Sequence, residues 1–304
     1  QKTNMHIKHF KEFVWIYVNL EEGEDQAEKL FKTIPLAPHT KEIIQSPIHI
    51  QRIEEYEAYI TSVLHYPLYN KETRKNQSSE MDFIIGPDFM ITVVRSEIHF
   101  LADIFNEKKA PPKDIETPVD LYLFILETMV NACLVPLNRI AAKMDQVVEG
   151  IFNGQEKDMI SEISYIKRDV LDFRKIIRLQ KAAMEASFRL LPKFFADDAQ
   201  TKKNYGDIIS TNIYIWQTLE NLKEVIESYD DTNQALLSHK LNENIKILTI
   251  FSATMAPAGV VATILGTSTE IDWMLNSSYA WAINLGFVLL TAGIFYLVFK
   301  AMQK

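Results

Sequence analysis

The sequence predicts an α/β domain, then long paired helices, then two membrane-spanning helices near the C-terminus. Three observations predict it. Strand-forming runs of β-branched and aromatic residues are confined to the first third of the chain. Helical periodicity takes over after Pro118, and the two segments Ile247–Gly266 and Tyr279–Phe299 contain no charged residue. A spanning helix needs about 20 apolar residues, and a charge at its centre costs roughly 2.5–3.5 kcal/mol, so both segments have the length and composition of spans. The near-zero mean hydropathy of the whole chain hides this split.

In chain order, "FVWIYVNL" (Phe13 to Leu20) reads as a strand, and the polar "EEGEDQ" after it opens a helix. The stretches "YEAYITSVLHYPLYN" and "MDFIIGPDFMITVVRS" read as further strands. Gly86 and Pro87 supply the turn of a hairpin, in a sheet with helices packed on it. The Pro- and charge-rich "NEKKAPPKDIETP" (Asn106 to Pro118) reads as a domain boundary. Beyond it Leu121, Phe124, Ile125, Thr128, Ala132 and Val135 fall on one helical face. After the loop "FNGQEK", Ile160, Ile163, Ile166, Val170, Phe173 and Ile177 continue at spacings of three and four. A break at "LPKFFADDAQTKKN" precedes a pattern without Pro or Gly from Asp207 to Ala256. Continued through Pro257 to Gly266, this helix is about 90 Å long, about three times a bilayer core, and enters the membrane as one rod. The expected domains are 1–110 (α/β, cytoplasmic), 111–204 (stalk helices) and 205–266 (a long helix whose part from about 247 to 266 spans). An outer loop at 267–278, a second span at 279–299 and a tail at 300–304 complete the chain.

The net charge of −8 argues against a nucleic-acid surface. The single Cys133 lies in the apolar run "NACLVPL" and reads as a core residue in a reducing compartment. The opening "QKTNMHIKHF" has no apolar signal core. Lys240, Lys246, Lys300 and Lys304 flank the spans while Glu270 and Asp272 lie in the loop, which places both termini in the cytoplasm. No nucleophile–base pair, phosphate loop or His-Glu-x-x-His motif is present, so no catalytic or cofactor-binding residue is expected. His6-x-x-His9 reads as a solvated pair at a frayed terminus, and His65 as a hydrogen-bonded structural residue.

The long helix carries the informative pattern. Asp231, Ala235, Ser238, Asn242, Ile245, Thr249, Ser252, Ala256, Gly259, Thr263 and Gly266 recur at spacings of three and four, and nearly all are small or polar. Close packing of membrane helices explains such a stripe. A water-filled pore lined by hydroxyls and backbone explains it equally, and two spans per chain then require an oligomer around the axis.

This order of parts resembles the CorA family of divalent-cation channels, which includes the ZntB zinc transporters. The resemblance covers nearly the whole chain and is tightest in "NENIKILTIFSATMAPAGVVATILG", where Asn242, Lys246, Leu248, Thr249 and Pro257 match in register. It implies a CorA-like funnel, a homopentamer in the inner membrane, and a pore lined by the long helix. The family's Gly-Met-Asn signature at the outer mouth is replaced by Gly266, Thr267 and Ser268. Mg²⁺ sheds its water reluctantly, so a mouth for the hydrated ion needs acceptors, and hydroxyls and carbonyls are acceptors.

By the same resemblance Asn242 and Leu248 match the cytoplasmic constriction, Asp231 matches an acidic pore position, and Ala256 stands where a bulky methionine is usual. Leu248 and Ile245 remain able to close the pore by dewetting. Glu270 and Asp272 match an acidic outer loop. Asp207 and Glu42 match carboxylates of a regulatory metal site between subunits, with Ile43 where another carboxylate would be. Pro257 is expected to kink the helix and free the Ala253 carbonyl for water or the Thr254 hydroxyl. The implied function is transport of divalent cations such as Mg²⁺, Co²⁺, Ni²⁺ or Zn²⁺, the ion itself being substrate and regulator. A non-conducting membrane scaffold or sensor and a proton-coupled zinc transporter are the alternatives.

Overall fold

The computed structural model describes residues 6–22, 25–46, 50–70, 75–106, 115–193, 199–267 and 279–302. The chain forms two compact units, Gln1–Asp230 and Asp231–Lys304.

The first unit is built on a six-stranded mixed sheet of β1 (His6–His9), β2 (Val14–Asn19), β3 (Arg52–Glu55), β4 (Ile60–Asn70), β5 (Lys75–Ile85) and β6 (Phe89–Val94). Their order in the sheet is β1-β2-β6-β5-β4-β3. The β2–β6 pair is parallel and the other pairs are antiparallel. Strands β2, β4 and β6 follow the expected apolar runs. At the β5–β6 turn the Gly86 N–H donates to the Phe89 carbonyl at 2.9 Å. A Cβ on Gly86 would lie 2.3 Å from the Phe89 ring, so any larger residue there would have to displace that ring.

Two short edge strands and half of a long one depart from the sequence reading. His6–His9 is not a frayed terminus: it is β1, paired with β2 from His6 opposite Tyr17 to His9 opposite Val14. The His6 ring lies 5.8 Å from Phe105, so aromatic packing accounts for it. Strand β3, "RIEE", carries no apolar alternation, and β5 begins six residues before "MDFII" with "KNQSSE". Pairing with β4 along all eleven residues holds that polar half in the sheet.

Helices α1 (Asp25–Thr33) and α2 (Pro38–Gln45) cover one face, where Leu30 and Ile44 join Ile16, Val18, Ile84, Ile91 and Val93 in a common core. The Tyr59 hydroxyl accepts from the Ala37 N–H at 2.9 Å and meets the Thr40 hydroxyl at 2.8 Å, which fixes the start of α2. On the other face Trp15 is fully buried, donates to the Thr92 hydroxyl at 3.0 Å, and stacks edge-on against Phe105 of α3 (His99–Phe105). Fully burying such side chains contributes roughly 1.5–3 kcal/mol each.

Helix α4 (Pro118–Phe152) starts at a capping box, with the Thr117 hydroxyl accepting from the Asp120 N–H and the Asp120 carboxylate accepting from the Thr117 N–H. Its Tyr122 bonds Ser62 at 2.9 Å and meets Phe83 edge-on, which docks the helix on the sheet. The buried stripe follows Tyr122, Leu126, Met129, Cys133, Leu137 and Ile140. Val135, expected on the inner face, is 72% exposed, because 3.6 residues per turn rotates the inner face toward Cys133 and Leu137. Cys133 is buried and free, and burial pushes its thiol up. Helix α4 is also long and apolar enough to cross a membrane, yet 61% of its apolar stretch is buried inside the protein. It is a core helix.

Helix α5 (Glu156–Leu190) follows a tight turn in which Gly154 adopts φ 85°. Ile163, Ile166, Val170, Phe173 and Ile177 are buried as the spacing predicts, whereas Ile160 is exposed. Gln180 donates to the His65 carbonyl, and Gln51 donates to the Ile176 carbonyl at 2.9 Å. The stretch near residue 110 therefore does not separate two compact units: α4 and α5 share the core of the sheet, and the first unit runs on to Asp230.

Helix α6 (Ala199–Thr267) starts earlier than expected and continues through Pro257. Within the first unit it is tied to α5 by Lys167–Asp230 at 2.9 Å and by the Arg174 Nε–Glu220 bond at 3.0 Å. The second unit holds the rest of α6 and helix α7 (Ala280–Met302).

Candidate ion path and metal sites

The C-terminal part of α6 is uncharged from Ile247 onward, and only 6% of its apolar stretch is buried. Such a surface is stable only against lipid or other protein. Helix α7 carries a second apolar run, Leu285–Leu297.

Of the stripe predicted from sequence, Asp231, Asn242, Ile245, Thr249, Ser252, Ala256, Gly259 and Thr263 are all exposed in the single chain. Leu248 is 64% exposed and Ile245 50%, so their apolar tips are available to a neighbouring copy. A Cβ added at Gly259 would meet nothing within 4 Å, so no packing inside the chain demands glycine there. Gly266 and Thr267 end α6. Ser268, Glu270 and Asp272 lie outside the described residues.

The stripe hydroxyls have a defined polarity. Thr249 donates to the Ile245 carbonyl at 2.7 Å, and Thr263 donates to the Gly259 carbonyl at 2.8 Å. Their hydrogens are used within the helix, so the oxygens present lone pairs outward as acceptors. Acceptors suit the water shell of a cation, whose hydrogens point away from the ion. Of the two partners expected for the Ala253 carbonyl, water and the Thr254 hydroxyl, the second is engaged elsewhere. That hydroxyl donates to the Ile250 and Phe251 carbonyls at 2.9 and 3.0 Å, not to the Ala253 carbonyl that Pro257 leaves without its helical donor.

The two carboxylates expected at a regulatory metal site lie on different helices, α2 and α6. Glu42 on α2 is exposed and lies 3.6 Å from His39, whose other nitrogen is 3.6 Å from Glu54. Asp207 is exposed near the start of α6, where its carbonyl accepts from Thr211 at 3.0 Å. Among the described residues no group of three or more His, Cys, Asp or Glu gathers as a metal site.

Sequence reasoning missed a buried charge cluster in the sheet. Arg95 pairs with Glu80 at 2.7 Å and with Asp82 at 3.3 Å, and donates to the Ile44 and Ile43 carbonyls at 3.0 and 2.9 Å. The alternation Glu80-x-Asp82 in a strand was the available clue: it sets both carboxylates on one face.

A family profile described as "CorA-like Mg2+ transporter protein" matches residues 10–301. Among curated proteins, the cobalt/magnesium transport protein CorA of Thermotoga maritima is 22% identical over 297 residues, covering 94% of this chain and 82% of the relative. The CorA protein of Methanocaldococcus jannaschii with the same description is 18% identical over 296 residues, covering 96% and 92%. Among solved structures, the complete CorA magnesium transporter from M. jannaschii aligns with a TM-score of 0.76 at 17% identity, over 96% of this chain and 92% of that one. The full-length CmaX protein aligns with a TM-score of 0.70 at 14% identity, over 98% and 90%. At these identities the likeness shows the fold: an α/β domain followed by long helices, as in CorA structures.

Proposed function

The chain belongs to the family of CorA-like Mg2+ transporter proteins, and from that membership we propose that it moves divalent metal cations across a membrane through a ring of five copies. In this reading α6 lines the axis, the segments at 247–266 and 279–299 span the inner membrane, and both termini lie in the cytoplasm. The observation that carries it is the exposed, uncharged C-terminal part of α6 with outward-facing hydroxyl acceptors.

Each stripe position then has a part. A ring of Asp231 carboxylates concentrates cations at the inner end, and a negative interior favours entry by about 2.3 kcal/mol per charge per 100 mV. Asn242 offers amide oxygens to the hydrated ion, and Ile245 with Leu248 closes the path by dewetting. Thr249, Ser252, Gly259 and Thr263 keep it wet, while Ala256 leaves it wide. Gly266, Thr267 and Ser268 form the outer mouth, with Glu270 and Asp272 drawing cations toward it. Glu42 and Asp207 of neighbouring copies form a weak regulatory metal site.

Liposome flux with Mg²⁺, Co²⁺, Ni²⁺, Zn²⁺ and a monovalent control tests this. Wild-type flux of a divalent ion, lost in Asn242→Ala, supports the reading, and a protein that passes no ion overturns it in favour of a membrane scaffold. A Thr267→Met, Ser268→Asn double variant with sharpened Mg²⁺ preference would tie selectivity to the altered mouth. Flux that follows a proton gradient would make the protein a coupled zinc transporter.

A further inference from the structure

The Glu80–Asp82–Arg95 cluster sits where strands β5 and β6 meet the C-terminus of α2. Glu80 and Asp82 are each 3% exposed, and one guanidinium stands between them. Two ionised carboxylates against a single guanidinium leave an uncompensated buried charge, which is costly in a low-dielectric interior. The geometry shows which carboxylate is the weaker partner. Glu80 takes two contacts from Arg95, at 2.7 and 2.9 Å. Asp82 takes one at 3.3 Å through Oδ2, and its buried Oδ1 is reached by no donor among the described residues. Burial first, then the Glu80 charge and a hydrogen bond shared with Glu80, push the Asp82 carboxyl well above the usual carboxylate range, while Arg95 and Arg52 of β3 pull the other way.

Arg95 has a second task. Two of its nitrogens donate to the carbonyls of Ile43 and Ile44, in the last turn of α2, where carbonyls have no partner within the helix. The same Nη2 atom that reaches the Ile43 carbonyl at 2.9 Å also faces Asp82 at 3.3 Å.

We propose that Glu80, Asp82 and Arg95 form a proton-operated latch on α2. With Asp82 protonated, Glu80 balances Arg95 and the remaining guanidinium donors clamp α2. When the Asp82 carboxyl gives its proton to water, its carboxylate competes with the Ile43 carbonyl for Nη2. A charged acceptor forms a bond roughly twice as strong as a neutral one, so Arg95 shifts and the end of α2 loosens. A cavity of about 510 Å³ lined by Leu20, Glu21, Glu28, Gln45, Ser46 and Arg95 gives water a route to the cluster. Among the described residues, the other ionisable side chains around it are His65 of β4, 3.5 Å from Glu80, Arg52 of β3, and Glu21 and Glu28 in the cavity wall beside Arg95. The cluster would thus set how firmly α2, and Glu42 on it, is held as proton concentration changes. The latch goes beyond the transport reading, and its readout needs no ion movement, so each fails without the other.

Hydrogen exchange of the full-length protein in lipid nanodiscs tests it from pH 5.5 to 8.5, with the intrinsic pH dependence of exchange divided out. In the wild type, protection of the α2 amides falls about tenfold as pH rises, while the central β-sheet amides stay constant. Asp82→Asn, a neutral mimic of the protonated acid, keeps α2 protected at every pH, and Arg95→Met leaves it unprotected at every pH. In Glu80→Gln, Arg95 turns to Asp82 and the fall moves to lower pH. A pH-independent wild type overturns the latch. So does an Asp82→Asn variant with the wild-type slope or, where that variant does not fold, a Glu80→Gln transition that has not moved.

Discussion

In the first compact unit the large side chains are mostly buried within the chain, as Trp15, Phe83 and Tyr122 are. In the second, Leu248, Phe251 and Val260 of α6 and Trp281, Leu289 and Leu297 of α7 are each more than half exposed. Both units are rich in the same apolar residue types, so hydrophobicity alone does not distinguish them. The difference lies in where the partner is. The sheet and its helices complete a core from one chain, while the described apolar side chains of the C-terminal helices are left uncovered by it. Substitutions should therefore act on folding in the first unit and on assembly or conduction in the second.

The sharpest way to break that division is a matched pair of truncations. Phe83→Ala removes a fully buried ring packed on Tyr122, and is expected to lower the stability of the first unit by about 3–5 kcal/mol. Leu248→Ala is expected to leave that stability within about 0.5 kcal/mol. Denaturant unfolding followed by near-UV circular dichroism reads both, and equal losses would erase the distinction. On the conduction side, Thr249→Val keeps the shape of the side chain and removes the acceptor oxygen. Divalent flux should fall about three- to tenfold, the equivalent of one lost hydrogen bond, with Thr249→Ser near wild type. Equal flux in all three proteins would place Thr249 off the ion path.

The same division explains what was legible in the sequence. Strands β2, β4 and β6 and the helices α4 and α5 follow from local periodicity, because burial on one face selects it. Strands β1 and β3 did not follow: at the sheet edges "HIKH" and "RIEE" take their structure from the neighbouring strand. Val135 was misread because the face of a long helix was extended one step too far. The stripe on α6 was legible because it repeats within one element. The Arg95 cluster was not, since it joins residues of β5 and α2 with the residue that follows β6, which only tertiary structure brings together.

Acid–base behaviour sharpens the comparison further, because among the described residues the carboxyl groups raised above their usual range, Asp82 and Asp169, both lie in the first unit. The folded protein keeps on Asp82 a proton that the unfolded chain loses near the ordinary aspartate value of about 3.9. Wild-type stability therefore carries a contribution that is complete below that value and declines as pH rises through the raised one. Asp82→Asn removes the contribution, so the variant should gain on the wild type with increasing pH. Melting temperatures of both proteins across pH 4 to 8.5 check the sign, and a variant that loses ground to the wild type as pH rises would place the proton elsewhere.

The smallest expected effect tests how local the first unit's determinants are. The Thr117 hydroxyl accepts from the Asp120 N–H at 3.2 Å, and Asp120 returns the bond to the Thr117 N–H at 2.8 Å. Thr117→Ala removes one half of this box at a helix end docked on the sheet, and is expected to cost about 1 kcal/mol. Thr117→Ser restores the acceptor and most of that stability. Both variants should conduct as wild type does, because the start of α4 reaches the ion path only through the fold it helps to stabilise. A Thr117→Ala protein with normal stability and altered flux would mean that α4 takes part in conduction directly, and the separation of folding from transport along this chain would fail there.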